Sequence, residues 1–316
     1  MAQLIPVWRD TIISYNTTND YITYTIRKDD KIIYSGRAYR KPNTNNAEFK
    51  INRICENYLK QEINFTAMQI ATDAVGKFTV SIDGTFYNNY YFFLNYSYTT
   101  SIIESNQLIS LSHPINNKVS DLLATSVINT YDSQQMVYVD IYVNGEWENL
   151  YRESIPANSI QNKAYETYLF KNNKATKVRI AGVEYELVDE CVEGELIYLN
   201  KYGGYDTVIL NGRINIINNY DSYSYNRNYN NIFSYDFEMY KYLNIITKKY
   251  NGSIFWLNSS QVNELDNLFG STQVYLNKDG NIIPVVVENK SLNYNVGKKL
   301  IKVDIEIKES QNKYRK

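Results

Sequence analysis

Leu196-Ile-Tyr-Leu-Asn-Lys-Tyr-Gly-Gly-Tyr-Asp-Thr-Val-Ile-Leu-Asn-Gly212 reads as a strand, a corner of two adjacent glycines, and a second strand. β-Branched and aromatic residues flank the glycines, a composition that suits a pleated, half-buried surface. A phosphate cradle would need a Lys-Ser/Thr pair and a helix start after Gly203-Gly204, and neither follows. The glycines are better used to admit a positive φ or a close aromatic approach. The segment is architectural, and it sets the expectation of a mostly β chain.

Working outward, alternation at period two recurs almost everywhere. Asp20–Arg27 and Lys31–Gly36 form a hairpin through Asp29-Asp30, and Gly76–Gly84 and Tyr90–Tyr98 repeat the pattern. Gln135–Val143 turns at Asn144-Gly145, a pair suited to the positive φ angles of a tight hairpin. Lys177–Leu187 reads as a further hairpin, and Lys299–Ile307 alternates cleanly enough to have one wet face. Ser259–Phe269 is the clearest helix: a serine at 259 or 260 caps it, Val262, Leu265, Leu268 and Phe269 share a face, and Gly270 stops it. Many short strands with regular turn signals predict two β-sandwich-like domains with one short C-terminal helix. A break in alternation at Ser154–Gln161 places the boundary between an N-terminal sandwich, 1–155, and a C-terminal β-rich domain, 156–316, holding the corner and the helix.

Composition narrows the chemistry. The chain has 316 residues, 32 of them tyrosine, about forty asparagine, and a formal net charge of -1. A dedicated nucleic-acid binder would carry a basic face that moves the pI upward, whereas here it is near 6.0. The N-terminus lacks the basic start and apolar run of a signal peptide, and no stretch has the apolar length of a membrane-spanning helix. Cys55 and Cys191 are too few for a disulfide scaffold and are expected as buried free thiols. His113 is the single histidine, which removes Ser-His-Asp, Cys-His and multi-histidine metal sites together. Asp189, Glu190, Glu193 and Glu195 cluster in the manner of a solvated turn. No catalytic residue, metal ligand or cofactor is expected. Asn218–Asn231 has almost no aliphatic residue and reads as a long exposed loop or arm, either a mobile polar loop or one whose tyrosines anchor a neighbouring subunit. The candidate subunit contacts are Tyr202, Gly203, Gly204, Tyr205, Tyr220, Tyr223, Tyr225 and Tyr229.

Three segments together resemble a family of virion proteins from phages of Bacteroidetes, the crAss-like phages among them. They are Ile33–Pro42 with Phe49–Leu59, Leu196–Thr207, and the C-terminal helix followed by Gln273–Leu276, Ile283–Val287 and the strand at 299–307. Tyrosine stands at 205 where tryptophan is frequent in that pattern. The resemblance implies a structural protein of the neck, collar or tail, with no catalytic residues. Its partners would be copies of itself in a ring, a dodecamer by analogy with a portal-attached collar, together with the portal and other ring or tail proteins. DNA would at most pass through the lumen. It implies a virion protein made in the cytoplasm of a bacterial host. The alternative is a tail-fibre or adhesin-like module that binds host glycan, although no internal repeat supports a fibre. A polysaccharide-degrading enzyme would need two carboxylates set apart across a cleft, and no pair stands out.

Overall fold

The computed structural model describes residues 3–63, 65, 69–97, 100–188, 192–226, 239–288, 300–310 and 313–315. Among these, strands dominate and the α-helices are short, so the mostly β, multi-sheet expectation holds. The chain divides into two compact units. The first is Met1–Val188 with Leu199–Asp206; the second is Asp189–Tyr198 with Thr207–Lys316.

In chain order the first unit holds β1 (Leu4–Pro6), β2 (Ile12–Asn16), β3 (Tyr21–Lys28), β4 (Lys31–Tyr39), β5 (Asn46–Lys50), α1 (Asn52–Glu56), β6 (Gln69–Ala71), β7 (Val75–Ile82) and β8 (Thr85–Phe93). There follow β9 (Leu108–Ser110), β10 (Lys118–Val119), β11 (Leu122–Asn129), β12 (Gln135–Val143), β13 (Glu146–Ile155), β14 (Ser159–Glu166), α2 (Tyr168–Lys171), β15 (Lys177–Ile180) and β16 (Val183–Leu187). They assemble as β1-β8-β7-β3-β4, β10-β16-β15-β12-β13, β6-β14-β11-β9 and the pair β2-β5. The hairpins turn where the sequence places them, with Asp29, Asp30, Asn144 and Gly145 all at positive φ.

Every residue of β11 is buried. Leu123 and Val127 pack with Val139, Ile141 and Val178 of the β12 sheet, while Ile128 packs with Leu4, Val75 and Phe93 on the other side. A strand covered on both faces needs no polar alternation, and Leu122–Asn129 shows none.

The expected boundary at 155/156 is corrected by this arrangement. Ser159–Glu166 pairs antiparallel with β11 along its full length, so Pro156–Asn158 is a turn inside the first unit. Asn158 takes a positive φ of 48° there. A Pro- and Asn-containing break marks a turn as readily as a linker. The division falls after Val188 instead.

Cys55 lies in the core formed by Ile22, Ile26, Phe49 and Phe92, as a free thiol; Cys191 lies outside the described residues. Burial pushes the Cys55 thiol from its ordinary 9.0 up to about 12. The fold accepts the neutral thiol, so its contribution is complete below pH 9.0 and is lost as pH rises through about 12. In a Cys191→Ser background, a thiol reagent should label Cys55 only on unfolding. Denaturant midpoints followed upward from pH 9.0 should fall less steeply for Cys55→Ala than for its parent. Rapid labelling of the folded protein would contradict this.

The second unit is built on β17 (Gly194–Leu199), β18 (Tyr205–Asn226), β19 (Met239–Leu257), α3 (Ser259–Phe269), β20 (Val274–Lys278), β21 (Asn281–Val287), β22 (Ile301–Glu309) and β23 (Lys313–Arg315), except that Leu199 at the end of β17 and Tyr205-Asp206 at the start of β18 belong to the first. Pairing runs β18-β17-β20-β21-β22-β19 and returns to β18, so these strands close into a barrel. Whereas the first unit layers its sheets, this one closes. At 22 and 19 residues, β18 and β19 reach both their barrel neighbours and each other. Closure removes free edges. β22 alternates buried and exposed, as its sequence indicates. The helix occupies the expected span and buries Val262, Leu265 and Leu268. Its cap is Asn258, one residue earlier than expected: the Asn258 side chain accepts from the Gln261 amide, and the Gln261 side chain accepts from the Asn258 amide. No helix among the described residues is long and apolar enough to cross a membrane.

Candidate assembly site

The glycine corner is not a surface feature. Leu199–Asp206 belongs to the first unit, and Gly203, Gly204 and Tyr205 are buried there. Gly203 takes φ +89°, and a Cβ on it would collide with the Leu94 carbonyl oxygen. A Cβ on Gly204 would lie 2.5 Å from the Leu111 carbonyl oxygen. The two glycines thus let one backbone segment lie directly against two others.

Polar groups then lock the corner. The Tyr205 amide donates to Ser126 Oγ at 2.8 Å, Ser126 Oγ donates to Asn162 Oδ1 at 2.7 Å, and Asn162 Nδ2 donates to Gln61 Oε1 at 2.8 Å. Gln61 Nε2 donates to the Gly203 carbonyl, completing the circuit. Asn200 Nδ2 donates to Leu111 O and to Asp206 Oδ2, while Asn200 Oδ1 accepts from the Tyr202 and Gly204 amides. Asp206 Oδ1 accepts from the His113 amide at 2.8 Å. Buried polar groups are tolerated only when paired in this way.

Three predicted contacts therefore need correction. Tyr205 is 0% exposed, and with Gly203 and Gly204 it serves packing inside the first unit. Tyr202 is half-buried, its ring 4.2 Å from that of His113. His113 thus contributes its amide and its ring to the corner. Of the acidic cluster, Glu195 is buried and accepts from Asn277 Nδ2 at 3.4 Å, and Glu193 accepts from the Ile214 amide. Asp189 and Glu190 lie outside the described residues.

Three of the other four predicted contacts, Tyr220, Tyr223 and Tyr225, fall on a β-ribbon. β18 and β19 pair from Asn215↔Asn251 out to Asn226↔Met239. β22 covers β19 only over Lys249–Leu257, and β23 adds a short third strand at Asn244–Ile246. Past Ile217↔Lys249 the ribbon continues for Asn218–Asn226, about 30 Å at strand rise. The described part of the expected loop is therefore a paired strand. Polar and aromatic residues can still make a ladder when a partner strand supplies the hydrogen bonds. Tyr220 is 68% exposed. Tyr223 and Tyr225 pair through their backbones, opposite Leu243 and Tyr240, while Tyr229 lies outside the described residues. Sequence reasoning missed Ile216 and Ile217, which are 46% and 42% exposed. Consecutive strand residues point to opposite faces, so the ribbon presents aliphatic surface on both. The adjacent pair just before Asn218 was the available signal.

No protein-family model matches this chain. No curated protein matches it either.

Proposed function

We propose that the chain is a structural subunit of a tailed-phage virion, assembling as a ring of copies in the neck or tail, between portal and tail, around a channel for DNA ejection. The observation that carries the reading is the ribbon, which extends past its own barrel and exposes Ile216, Ile217 and Tyr220. A two-stranded ribbon is marginal alone in water, so an assembly partner supplies the cover it lacks. The resemblance of three separated segments to neck and tail proteins of crAss-like phages supports the same direction.

Light scattering and electron microscopy of the purified chain should find closed rings, and class averages of virions should place them at the neck or tail. Ile217→Asp combined with Tyr220→Asp should disperse the rings while leaving the circular dichroism spectrum intact. A wild-type chain that stays monomeric and is absent from particles would overturn the reading.

One observation favours a second reading, the glycan-binding adhesin. Tyr21 and Tyr39 lie exposed with ring centroids 5.9 Å apart, and the Arg37 guanidinium sits 4.8 Å over the Tyr21 ring. Exposed aromatic rings of this kind can stack on sugar rings.

A further inference from the structure

The larger sheets of the first unit end, among the described residues, in edges of very unequal length. β1, β6 and β9 have three residues each and β10 has two, whereas β4 has nine and β13 has ten. Very short edge strands deter pairing with other chains, and long ones invite it. The two long edges belong to different sheets and are different in charge. β4 is exposed at Lys31, Ile32, Tyr34, Ser35, Arg37 and Tyr39 and carries no acid. Within it the Tyr58 hydroxyl donates to the Ile33 carbonyl at 3.3 Å, and beyond its end an isolated bridge joins Arg40 to Ala47. β13 exposes Glu146 and Glu148, while its Arg152 lies 4.9 Å over the Tyr138 ring. Among the described residues Lys31 and Arg37 have no carboxylate partner, and Glu146 and Glu148 have no cationic one.

These charges discourage β4 from pairing with another β4 and β13 with another β13. They favour β4 against β13. A contact between two different patches of identical subunits is heterologous, and heterologous contacts propagate head to tail until they close a ring. We propose that β4 of one copy adds to β13 of the next, joining two sheets into one across the subunit boundary. The inference rests on the ring reading and specifies the contact that builds the ring.

The test uses two charge-reversed chains, K31E/R37E and E146K/E148K, followed by light scattering alone and as an equimolar mixture. All four positions are exposed, so circular dichroism should match wild type. Each variant alone places like charges at every β4–β13 contact and should associate about tenfold more weakly, or worse. In the mixture an alternating ring restores opposite charges at every contact, so assembly should return. Rings formed equally well by either variant alone would overturn this contact and leave the ring reading standing. A mixture as dispersed as its components would also overturn it. A wild-type chain that never assembles would remove the ring reading itself, and this inference with it.

Discussion

Gly204→Ala is expected to destabilise the first unit by about 3 kcal/mol, the upper range for forcing one extra carbon into a well-packed interior. The added methyl would meet backbone, with the Leu111 carbonyl oxygen at 2.5 Å and its carbon at 2.7 Å, so no flexible side chain can yield. Gly203→Ala should cost more, because it adds the strain of φ +89° to a collision with the Leu94 carbonyl. Gly84→Ala supplies the control. That glycine also has positive φ, +79°, but nothing lies within 4 Å of the position a Cβ would take. Its penalty should be the left-handed strain alone, about 1–2 kcal/mol. Of three tryptophans, Trp8 and Trp147 lie in the first unit and Trp256 in the second. Denaturant unfolding by fluorescence in a Trp256→Phe background therefore reports the first unit. Gly204→Ala with the same midpoint as Gly84→Ala would show that the corner is not pressed against Leu111.

The corner also shows what the sequence could and could not disclose. Gly203-Gly204 between two apolar strands announces a special backbone, and the backbone is special. Whether a close approach is made to a neighbouring subunit or to the chain's own interior depends on Leu94, Leu111 and Gln61, all distant in sequence. Local pattern contains no term for that choice. Hairpins at Asp29-Asp30 and Asn144-Gly145, the α3 span and the alternating β22 were legible because each is governed by neighbours in sequence. β11 was not, since burial on both faces erases the alternation that reveals a strand. The ribbon was half legible: its exposure as far as Asp221 followed from Asn and Tyr, but its pairing with Met239–Leu257 is a long-range contact. Barrel closure was likewise invisible, because it depends on how far β18 and β19 reach and not on what either contains.

Lys163→Met is the second large effect, expected at about 3 kcal/mol, because removing one partner of a buried ion pair leaves the other charge uncompensated. Glu153 is only 2% exposed, on the strand β13 where alternation turns it toward the core opposite Val137. Its carboxylate accepts from Tyr165 Oη at 2.9 Å, from Gln161 Nε2 at 3.3 Å, and from Lys163 Nζ. The same ammonium lies 4.3 Å from the centre of the Tyr165 ring. Burial and then the Glu153 charge hold the Tyr165 phenol well above its ordinary range, so it stays a donor to the carboxylate. Tyr165 and Gln161 can stabilise a neutral acceptor by themselves, but they do not neutralise a charge. Glu153→Gln should therefore recover most of the loss when added to Lys163→Met, although alone it should also destabilise, because it leaves the Lys163 ammonium without its counter-charge; that loss should be the smaller of the two, since the Lys163 side chain is 17% exposed and water reaches it. The four midpoints, measured in the Trp256→Phe background, form a double-mutant cycle whose coupling energy isolates the pair. A coupling near zero would mean that solvent, and not Lys163, compensates Glu153, and that β13 owes its inward glutamate to the Tyr165 and Gln161 hydrogen bonds alone.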